Sequence, residues 1–313
     1  MTHFITSRPL PLNDKAKTLI QFLNDHPEAH TAYIHPDYQE PLIEAVAQIT
    51  DITALTAWTT HGQTYRIRWL TDSQPKPQYL PLPYNHAQSK YTQCQNAPIK
   101  LGCQIQPNRK PWVGTAGAPI KFRSPDHQIH YGFITNAHVS GTPVKPEDKL
   151  IHQPSDTKPP IATTTIVAYP SPSQTNQLDV AFADSKLTDY HTTAWEILDL
   201  GQPSDKLHPA TPHEQYKKVG RTTGLTRAVC TATEAVSKIN YGTFTATFTG
   251  LDVFQPLQTH FSQPGDSGSL ILHNDTNEPS SLLFAGGGTI TLGIPILTIK
   301  QAVPLSFNHR ERL

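Results

Sequence analysis

The sequence has no excess charge of either sign and no long apolar run. Its 313 residues contain 25 Lys and Arg against 25 Asp and Glu, so the formal net charge is zero. A balanced chain does not predict the broad basic surface that binds nucleic acid, and we expect no nucleic-acid partner. No segment reaches the roughly 18 apolar residues that span a bilayer, and the N-terminus lacks the apolar run of a signal peptide. We therefore expect no membrane partner.

Cysteine is scarce as well. Cys94, Cys103 and Cys230 are an odd number and too few for a disulfide-stapled secreted scaffold. Cys94 and Cys103 could cross-link or bind a metal, but unpaired buried thiols are the expected state. The 16 histidines are not accompanied by any Cys-x-x-Cys pair, so we expect no metal and no cofactor. These features favour a cytoplasmic location.

Residues 1–72 predict a small α/β module with the order α-β-α-β-β. Residues 14–24 and 40–50 carry apolar side chains at helical spacing, and "TAYIH" between them is typical of a short strand. Two β-rich runs, "TALTAWTT" and "QTYRIRWL", flank His61 and Gly62 and predict a hairpin.

The composition of the sequence changes twice after residue 72. Residues 73–94 include the proline-rich stretch "SQPKPQYLPLPYNHAQSK", which is typical of a stiff linker. Residues 95–313 consist of short runs rich in β-branched and aromatic residues, separated by Gly, Pro, Asn and Asp. Such runs predict an all-β sandwich or barrel. The predicted fold class is mainly β, preceded by a small α/β domain.

A candidate nucleophile lies in "SQPGDSGSLI", where Ser267 follows Asp266. A serine hydroxyl is a weak nucleophile unless a histidine accepts its proton and a carboxylate orients that histidine. His138 ends the apolar run "YGFITNAHV", and Asp179 opens the run "LDVAFA". Two alternatives stay open: Ser267 as a small residue in a glycine-rich turn, and Asp184 or Asp156 as the carboxylate.

Three segments, "TNAHV", "LDVAFA" and "QPGDSGSLI", resemble the active-site blocks of chymotrypsin-like (trypsin-like) serine proteases in that family's chain order. The resemblance implies a double β-barrel over residues 95–313, with halves at about 95–190 and 202–305. It implies a serine endopeptidase that cleaves protein or peptide substrates through an acyl-enzyme, with His138, Asp179 and Ser267 as triad. The amides of Gly265 and Ser267 would form the oxyanion hole.

A fourth segment, "VGRTTGLTRAVC", resembles the Gly-Arg-Thr-Thr-Gly segment of bacterial members of the family. The resemblance implies that Arg221 forms an ion pair with Asp266, and an arginine suits a buried carboxylate. Animal members satisfy this aspartate with an N-terminal amine released by cleavage, so an internal Arg221 would make such cleavage unnecessary. The alternative is that Arg221 is an exposed loop residue.

The family resemblance also indicates a substrate pocket. Its floor would lie around Phe261, Ser262 and Gln263, and one wall would include Gly286 and Gly287 of "FAGGG". Because the floor lacks an acidic residue, we expect an apolar or small side chain before the cleaved bond rather than Lys or Arg. The N-terminal module is expected to recruit a protein regulator or target. The alternative function is a catalytically silent or partner-gated binding module with a protease fold.

Overall fold

The structure is a computed structural model, and it describes residues 2–37, 40–48, 57–78, 80–81, 89–93, 99–141, 146–185, 195–308, 310–311 and 313. Residues 82–88 of the predicted linker and Cys94 lie outside the described residues. Within the described ranges, no helix is long and apolar enough to cross a membrane.

The elements are mostly short strands. Before residue 82 they are β1 (His3–Phe4), β2 (Ala29–Ile34), β3 (Leu42–Ala47), β4 (Ala57–Thr60), β5 (Gln63–Thr71), β6 (Lys76–Pro77) and β7 (Leu80–Pro81). Next come β8 (Gln104–Pro107), β9 (Trp112–Thr115), β10 (Ala118–Arg123), β11 (Ile129–Thr135), β12 (Leu150–His152), β13 (Pro160–Ala168) and β14 (Val180–Asp184). The last are β15 (Gln215–Gly220), β16 (Gly224–Asn240), β17 (Thr245–Pro256), β18 (Leu270–His273), β19 (Pro279–Gly286), β20 (Thr291–Pro295) and β21 (Leu305–Ser306). The helices are α1 (Asp14–Asp25), α2 (Ala137–Ser140) and α3 (Ile296–Ala302), with a 3-10 turn at Pro146–Lys149.

The described strands form two large sheets. The first has the order β21-β10-β11-β14-β13-β12-β8-β9-β7, and β1 pairs with β13. The second has the order β15-β18-β19-β20-β17-β16-β2-β3-β5-β4, and β6 pairs with β19. A large apolar core includes residues from both sheets, such as Phe133 and Phe182 from the first and Phe248 and Phe284 from the second. The predicted fold class, mainly β with two sheets, is confirmed.

The N-terminal region continues the second sheet. β2 pairs antiparallel with β16, with Ala32 opposite Val236. Helix α1 begins after Asn13, whose side chain accepts a hydrogen bond from the Ala16 amide at 2.8 Å, and it buries Phe22 against this extension. The helix over 14–24, the strand at "TAYIH" and the hairpin at 61–62 are confirmed. The division of the chain into domains stays a prediction.

The second predicted helix, over residues 40–50, is wrong. Residues Leu42–Ala47 form β3, which pairs antiparallel with β2 and parallel with β5. All six side chains are buried, because neighbours cover both faces of this central strand. A strand buried on both faces is apolar without strict alternation, so its sequence also fits helical spacing. The only acidic side chain within β3, Glu44, is paired with Arg68 at 2.7 Å.

Strand order places two candidate residues side by side. β11 ends at Thr135 and leads directly into α2, which carries His138. β14 begins one residue after Asp179, and it pairs antiparallel with β11, with Thr135 opposite Ala181. Because the end of one antiparallel strand lies beside the start of its neighbour, His138 and Asp179 meet at one end of this pair of strands.

Candidate active site

His138 and Asp179 form a buried hydrogen-bonded pair. The imidazole Nδ1 lies 2.6 Å from Asp179 Oδ2, and the backbone amide of His138 donates to Oδ1 at 3.1 Å. Both side chains are almost completely buried, at 2% and 0% exposure. The carboxylate therefore fixes both the position of the one-turn helix and the orientation of the ring. A carboxylate on Nδ1 also stabilises the imidazolium that forms when Nε2 takes a proton.

Two further residues support Asp179. The Tyr241 hydroxyl donates to Asp179 Oδ2 at 2.6 Å, and its ring meets the His138 ring edge-on at 6.2 Å. The Asn136 side-chain amide donates to the backbone carbonyl of Asp179 at 2.8 Å. Burial raises the pKa of Tyr241, and the neighbouring Asp179 carboxylate raises it further. Tyr241 is therefore a neutral donor that fixes the carboxylate.

Ser267 lies in the turn between β17 and β18, and a strand of the first sheet holds this turn. Thr115 of β9 donates its amide to Ser267 O at 2.9 Å and its hydroxyl to Gly265 O at 2.8 Å. Gly265 has a φ of 104°, which a side chain would strain. A Cβ there would also lie 2.6 Å from the Arg221 side chain. The Ser267 hydroxyl donates to Phe284 O at 3.0 Å.

The amides of Gly265 and Ser267 point at one oxygen atom. Both donate to the backbone carbonyl of Gln78, and the bond from Ser267 is 3.1 Å long. Two amides that converge on a single carbonyl beside a serine hydroxyl are the arrangement an oxyanion hole requires. The two residues named for this role from the sequence are thus brought together by the structure.

The cation beside Asp266 differs from the expected one. Lys218 Nζ lies 3.1 Å from Asp266 Oδ2, and both side chains are fully buried. The carboxylate also accepts the amides of Thr222 at 2.8 Å and Gln263 at 3.0 Å, and the Thr223 hydroxyl at 2.7 Å. Burial lowers the pKa of Lys218, and the Asp266 charge opposes that shift.

Arg221 contacts a different residue. Its Nε and a terminal nitrogen donate to Gln104 Oε1 at 2.9 and 2.6 Å, so it fastens the second sheet to the first. The predicted ion pair of Arg221 with Asp266 is therefore wrong, as is the exposed-loop alternative, because Arg221 is buried. The physical reason is geometric: Lys218, three residues earlier in β15, reaches the carboxylate from inside the core.

The five residues predicted to line the substrate pocket contact different parts of the protein. Phe261 is buried against Phe254, with ring centroids 5.9 Å apart. The Ser262 hydroxyl is hydrogen-bonded to the Thr291 hydroxyl at 2.6 Å. The backbone amide of Gln263 donates to Asp266. Gly286 and Gly287 face residues 73–78: a Cβ on Gly286 would lie 2.3 Å from Gln78 Nε2, and one on Gly287 would lie 2.5 Å from Ser73 O.

A second Ser–His–Asp chain lies away from this site. His130 Nδ1 is 2.8 Å from Asp184, and its Nε2 is 3.0 Å from Ser124 Oγ. The Ser124 hydroxyl also contacts Asp126 and the Gln128 carbonyl, so it ties together the β10–β11 turn. Asp184 is thus engaged with another histidine. The other alternative carboxylate, Asp156, lies in the turn after β12, where its amide donates to Gln106.

The cysteine expectation is wrong for one residue. Cys103 is disulfide-bonded, whereas Cys230 is free and buried. The disulfide removes the thiol argument for a cytoplasmic location, which stays a prediction.

One group among the described residues has metal-ligand chemistry: His208, Glu214 and His273, whose ligating atoms all lie within 4.8 Å of one another. His208 is hydrogen-bonded to Glu214 at 2.6 Å and to Glu278 at 3.2 Å. Burial opposes the charge of His208, but these two carboxylates raise its pKa above the ordinary value. His208 is therefore hydrogen-bonded between two carboxylates that favour its charged form.

Sequence reasoning missed three residues of this site. Tyr241 lies in the β16–β17 hairpin, where nothing in "NYGTF" distinguishes it from any turn aromatic. Lys218 stands three residues before Arg221 in "QYKKVG", where nothing in the sequence distinguishes it from the neighbouring Lys217. Gln78 lies in the proline-rich stretch that predicted a linker.

No protein-family model matches the chain, and no curated protein matches it. Among solved structures, the chymotrypsin of Cellulomonas bogoriensis is 21% identical, with a TM-score of 0.45 over 65% of this chain and 94% of that one. Thermobifida fusca protease A is 18% identical, with a TM-score of 0.47 over 66% and 97%. Nocardiopsis protease is 17% identical, with a TM-score of 0.48 over 66% and 97%. Each of these structures aligns with about two thirds of this chain.

Proposed function

We propose that this protein is a serine endopeptidase that cleaves peptide bonds through an acyl-enzyme intermediate. Ser267 is the nucleophile, His138 is the general base and then the general acid, and Asp179 orients and stabilises His138. The amides of Gly265 and Ser267 stabilise the oxyanion. Lys218 and Asp266 hold the nucleophile turn, and Arg221 fastens the neighbouring β15–β16 turn to the first sheet.

The Ser267 hydroxyl donates to Phe284 O at 3.0 Å, and in the proposed reaction it leaves this carbonyl and donates to His138 Nε2 instead. Attack on the substrate carbonyl carbon transfers the hydroxyl proton to His138 Nε2. His138 then gives this proton to the leaving amine, and water hydrolyses the ester by the same route.

The observation that carries this proposal is the convergence of the two turn amides on one carbonyl oxygen. A glycine-rich turn that only caps a strand has no need for two amides aimed at one acceptor beside a serine. The buried His138–Asp179 pair, at 2.6 Å, supplies the proton acceptor that the serine requires.

A fluorophosphonate probe tests the proposal, because it reacts only with an activated serine. We expect labelling of the wild-type chain and none of Ser267→Ala. Ser124→Ala is the matched control, since Ser124 belongs to the other Ser–His–Asp chain and its loss leaves labelling unchanged.

Peptide hydrolysis provides the second readout, and it is measured on the same three proteins. Absence of both labelling and hydrolysis in folded wild-type protein would contradict the proposal and favour the silent binding module. Equal labelling of Ser267→Ala and wild type would exclude Ser267 as the nucleophile.

A further inference from the structure

The carbonyl in the candidate oxyanion hole belongs to the chain itself. Gln78 lies 189 positions before Ser267 in sequence (267 − 78 = 189), yet its backbone oxygen accepts both amides of the nucleophile turn. This oxygen occupies the place where the carbonyl of a bond under attack would lie. The question is whether the residues leading to Gln78 are also held as a substrate would be.

The preceding residues form an added strand beside the site. β6 pairs antiparallel with β19, with Pro77 opposite Ala285 and Lys76 opposite Gly286. The Gln78 amide donates to Phe284 O at 3.2 Å. Main-chain pairing of an extended segment with a sheet edge is a common mode of peptide recognition. Residues 76–78 are therefore held by their backbone in a fixed register that ends at the oxyanion hole.

The side chain of Gln78 is enclosed as well. Only 4% of the residue is exposed, and its carboxamide lies against Gly286, where any side chain would collide with it. An uncharged polar side chain tolerates such a place, whereas a charged one would lose its hydration. The Gln78 side chain is neither apolar nor small, whereas the sequence predicted an apolar or small side chain before the cleaved bond.

The start of the segment is anchored by a carboxylate. Asp72 accepts hydrogen bonds from the amides of Gly288 at 2.6 Å, Thr289 at 2.9 Å and Ile290 at 3.2 Å. The Asn240 amide also donates to Pro75 O at 3.1 Å. The segment 72–78 is thus fixed at both ends and in its middle, which lowers the entropic cost of presenting Gln78 to Ser267.

We propose that residues 76–78 are an internal substrate and that the protein cleaves its own chain after Gln78, with glutamine as the preferred residue before the cleaved bond. This proposal rests on the serine endopeptidase function proposed above.

The chemistry balances within the chain and one water molecule. Ser267 Oγ bonds to the carbonyl carbon of Gln78, and its proton passes to His138. The bond from that carbon to the Tyr79 nitrogen breaks, and His138 gives the proton to the departing amine. Water then hydrolyses the Gln78–Ser267 ester, which leaves a carboxylate on Gln78 and restores the hydroxyl.

Cleavage after Gln78 is not needed to supply an N-terminal amine that pairs with Asp266. Lys218 already neutralises that carboxylate from inside the core. Cleavage after Gln78 instead frees the segment that fills the cleft, so that other substrates can enter.

The test follows the mass of the full chain made by cell-free synthesis, in samples quenched with denaturant. For wild type we expect two fragments, one ending at Gln78 and one with a new N-terminus at Tyr79. The rate should not depend on protein concentration, because the substrate is intramolecular. Ser267→Ala should stay intact.

Side-chain preference is tested with Gln78→Glu, which keeps the shape and adds a charge. We expect its self-cleavage to be slower by roughly tenfold or more, since a buried unpaired carboxylate is costly. Gln74→Glu, in the same segment, is the matched control and should cleave at the wild-type rate. Peptides ending in Gln-Pro-Lys-Pro-Gln before a fluorogenic group should be hydrolysed faster than versions ending in Glu or Leu.

The outcomes separate the two proposals. A chain that is labelled by fluorophosphonate and hydrolyses peptides, but stays intact or is cut only elsewhere, overturns self-processing and leaves the endopeptidase standing. Equal rates for Gln78→Glu and wild type overturn the glutamine preference. A folded wild-type chain with no labelling, hydrolysis or self-cleavage contradicts both proposals.

Discussion

Tyr241 is the residue whose contribution to the site can be measured most directly. Its hydroxyl donates to the same Asp179 oxygen that binds His138. Removing the hydroxyl leaves the buried carboxylate with one donor fewer, so the histidine is held less firmly. Substrate contacts are unchanged, because Tyr241 acts through Asp179.

We expect Tyr241→Phe to lower kcat by about tenfold, the size of one hydrogen bond to a charged group, with little change in KM. Steady-state peptide hydrolysis measures both constants. Tyr216→Phe is the matched control, because it removes a buried tyrosine hydroxyl that contacts Glu214 instead. A purely structural role for Tyr241 would appear as a loss of stability without the selective fall in kcat.

The buried pair of Lys218 and Asp266 permits a second test at the residue scale. Lys218→Met would leave Asp266 buried without its cation, at a cost of about 3 kcal/mol in the free energy of unfolding. Arg221→Met is the comparison, since the Arg221 guanidinium donates to Gln104 rather than to Asp266. Urea unfolding measures both variants, and a larger loss for Arg221→Met would show that Arg221 is the more important cation.

At the scale of elements, the turn between β19 and β20 holds the segment 72–78. The backbone amides of this turn point at the Asp72 carboxylate, and β19 itself pairs with β6. The end of β19 therefore contacts both the Ser267 hydroxyl, through Phe284 O, and the backbone of β6.

We expect Asp72→Asn to slow self-cleavage by several-fold, because an amide accepts fewer strong hydrogen bonds than a carboxylate and the segment becomes less ordered. The time course of fragment appearance measures this. Asp126→Asn, at an exposed turn of the first sheet, should cleave at the wild-type rate. If Asp72→Asn cleaves as fast as wild type, the turn does not present the segment.

At the scale of the whole molecule, the N-terminal region and the second sheet share a cavity that contains a buried acid. Asp252 lines this cavity together with Leu10, Ala16 and Ser280. Burial raises the pKa of Asp252 to about 7, although the Ser281 hydroxyl donates to it at 2.5 Å. The acid is therefore neutral in the folded protein at mildly acidic pH.

The pKa of Asp252 is higher in the folded state than in the unfolded state, so its contribution to stability is fully present below about pH 4. It is lost as pH rises towards 7, by up to about 4 kcal/mol. We expect Asp252→Asn to melt above wild type at pH 8 and to lose most of that advantage at pH 5. Thermal unfolding at both pH values measures this, with the exposed Asp275→Asn as control. A difference between variants that does not change with pH would contradict the assignment.

Part of the organisation was predictable because it depends on local chemistry. The cap at Asn13, the alternation in β5 and the turn at 61–62 are properties of neighbouring residues. The strand at 42–47 was not, because its state depends on partners on both sides that are distant in sequence. Local spacing cannot distinguish a fully buried strand from a buried helical face.

The sequence by itself indicated the candidate residues: His138, Asp179, Ser267 and Gly265 stand in blocks whose order and composition were informative without coordinates. Only the tertiary structure decided what surrounds them. Lys218 rather than Arg221 pairs with Asp266, and the Gln78 carbonyl accepts the amides of Gly265 and Ser267. The physical reason is that a buried charge or a convergent pair of amides takes whichever partner the fold brings within about 3 Å. Residue types can be read from the sequence, whereas the distances between residues that are remote in sequence depend on the fold.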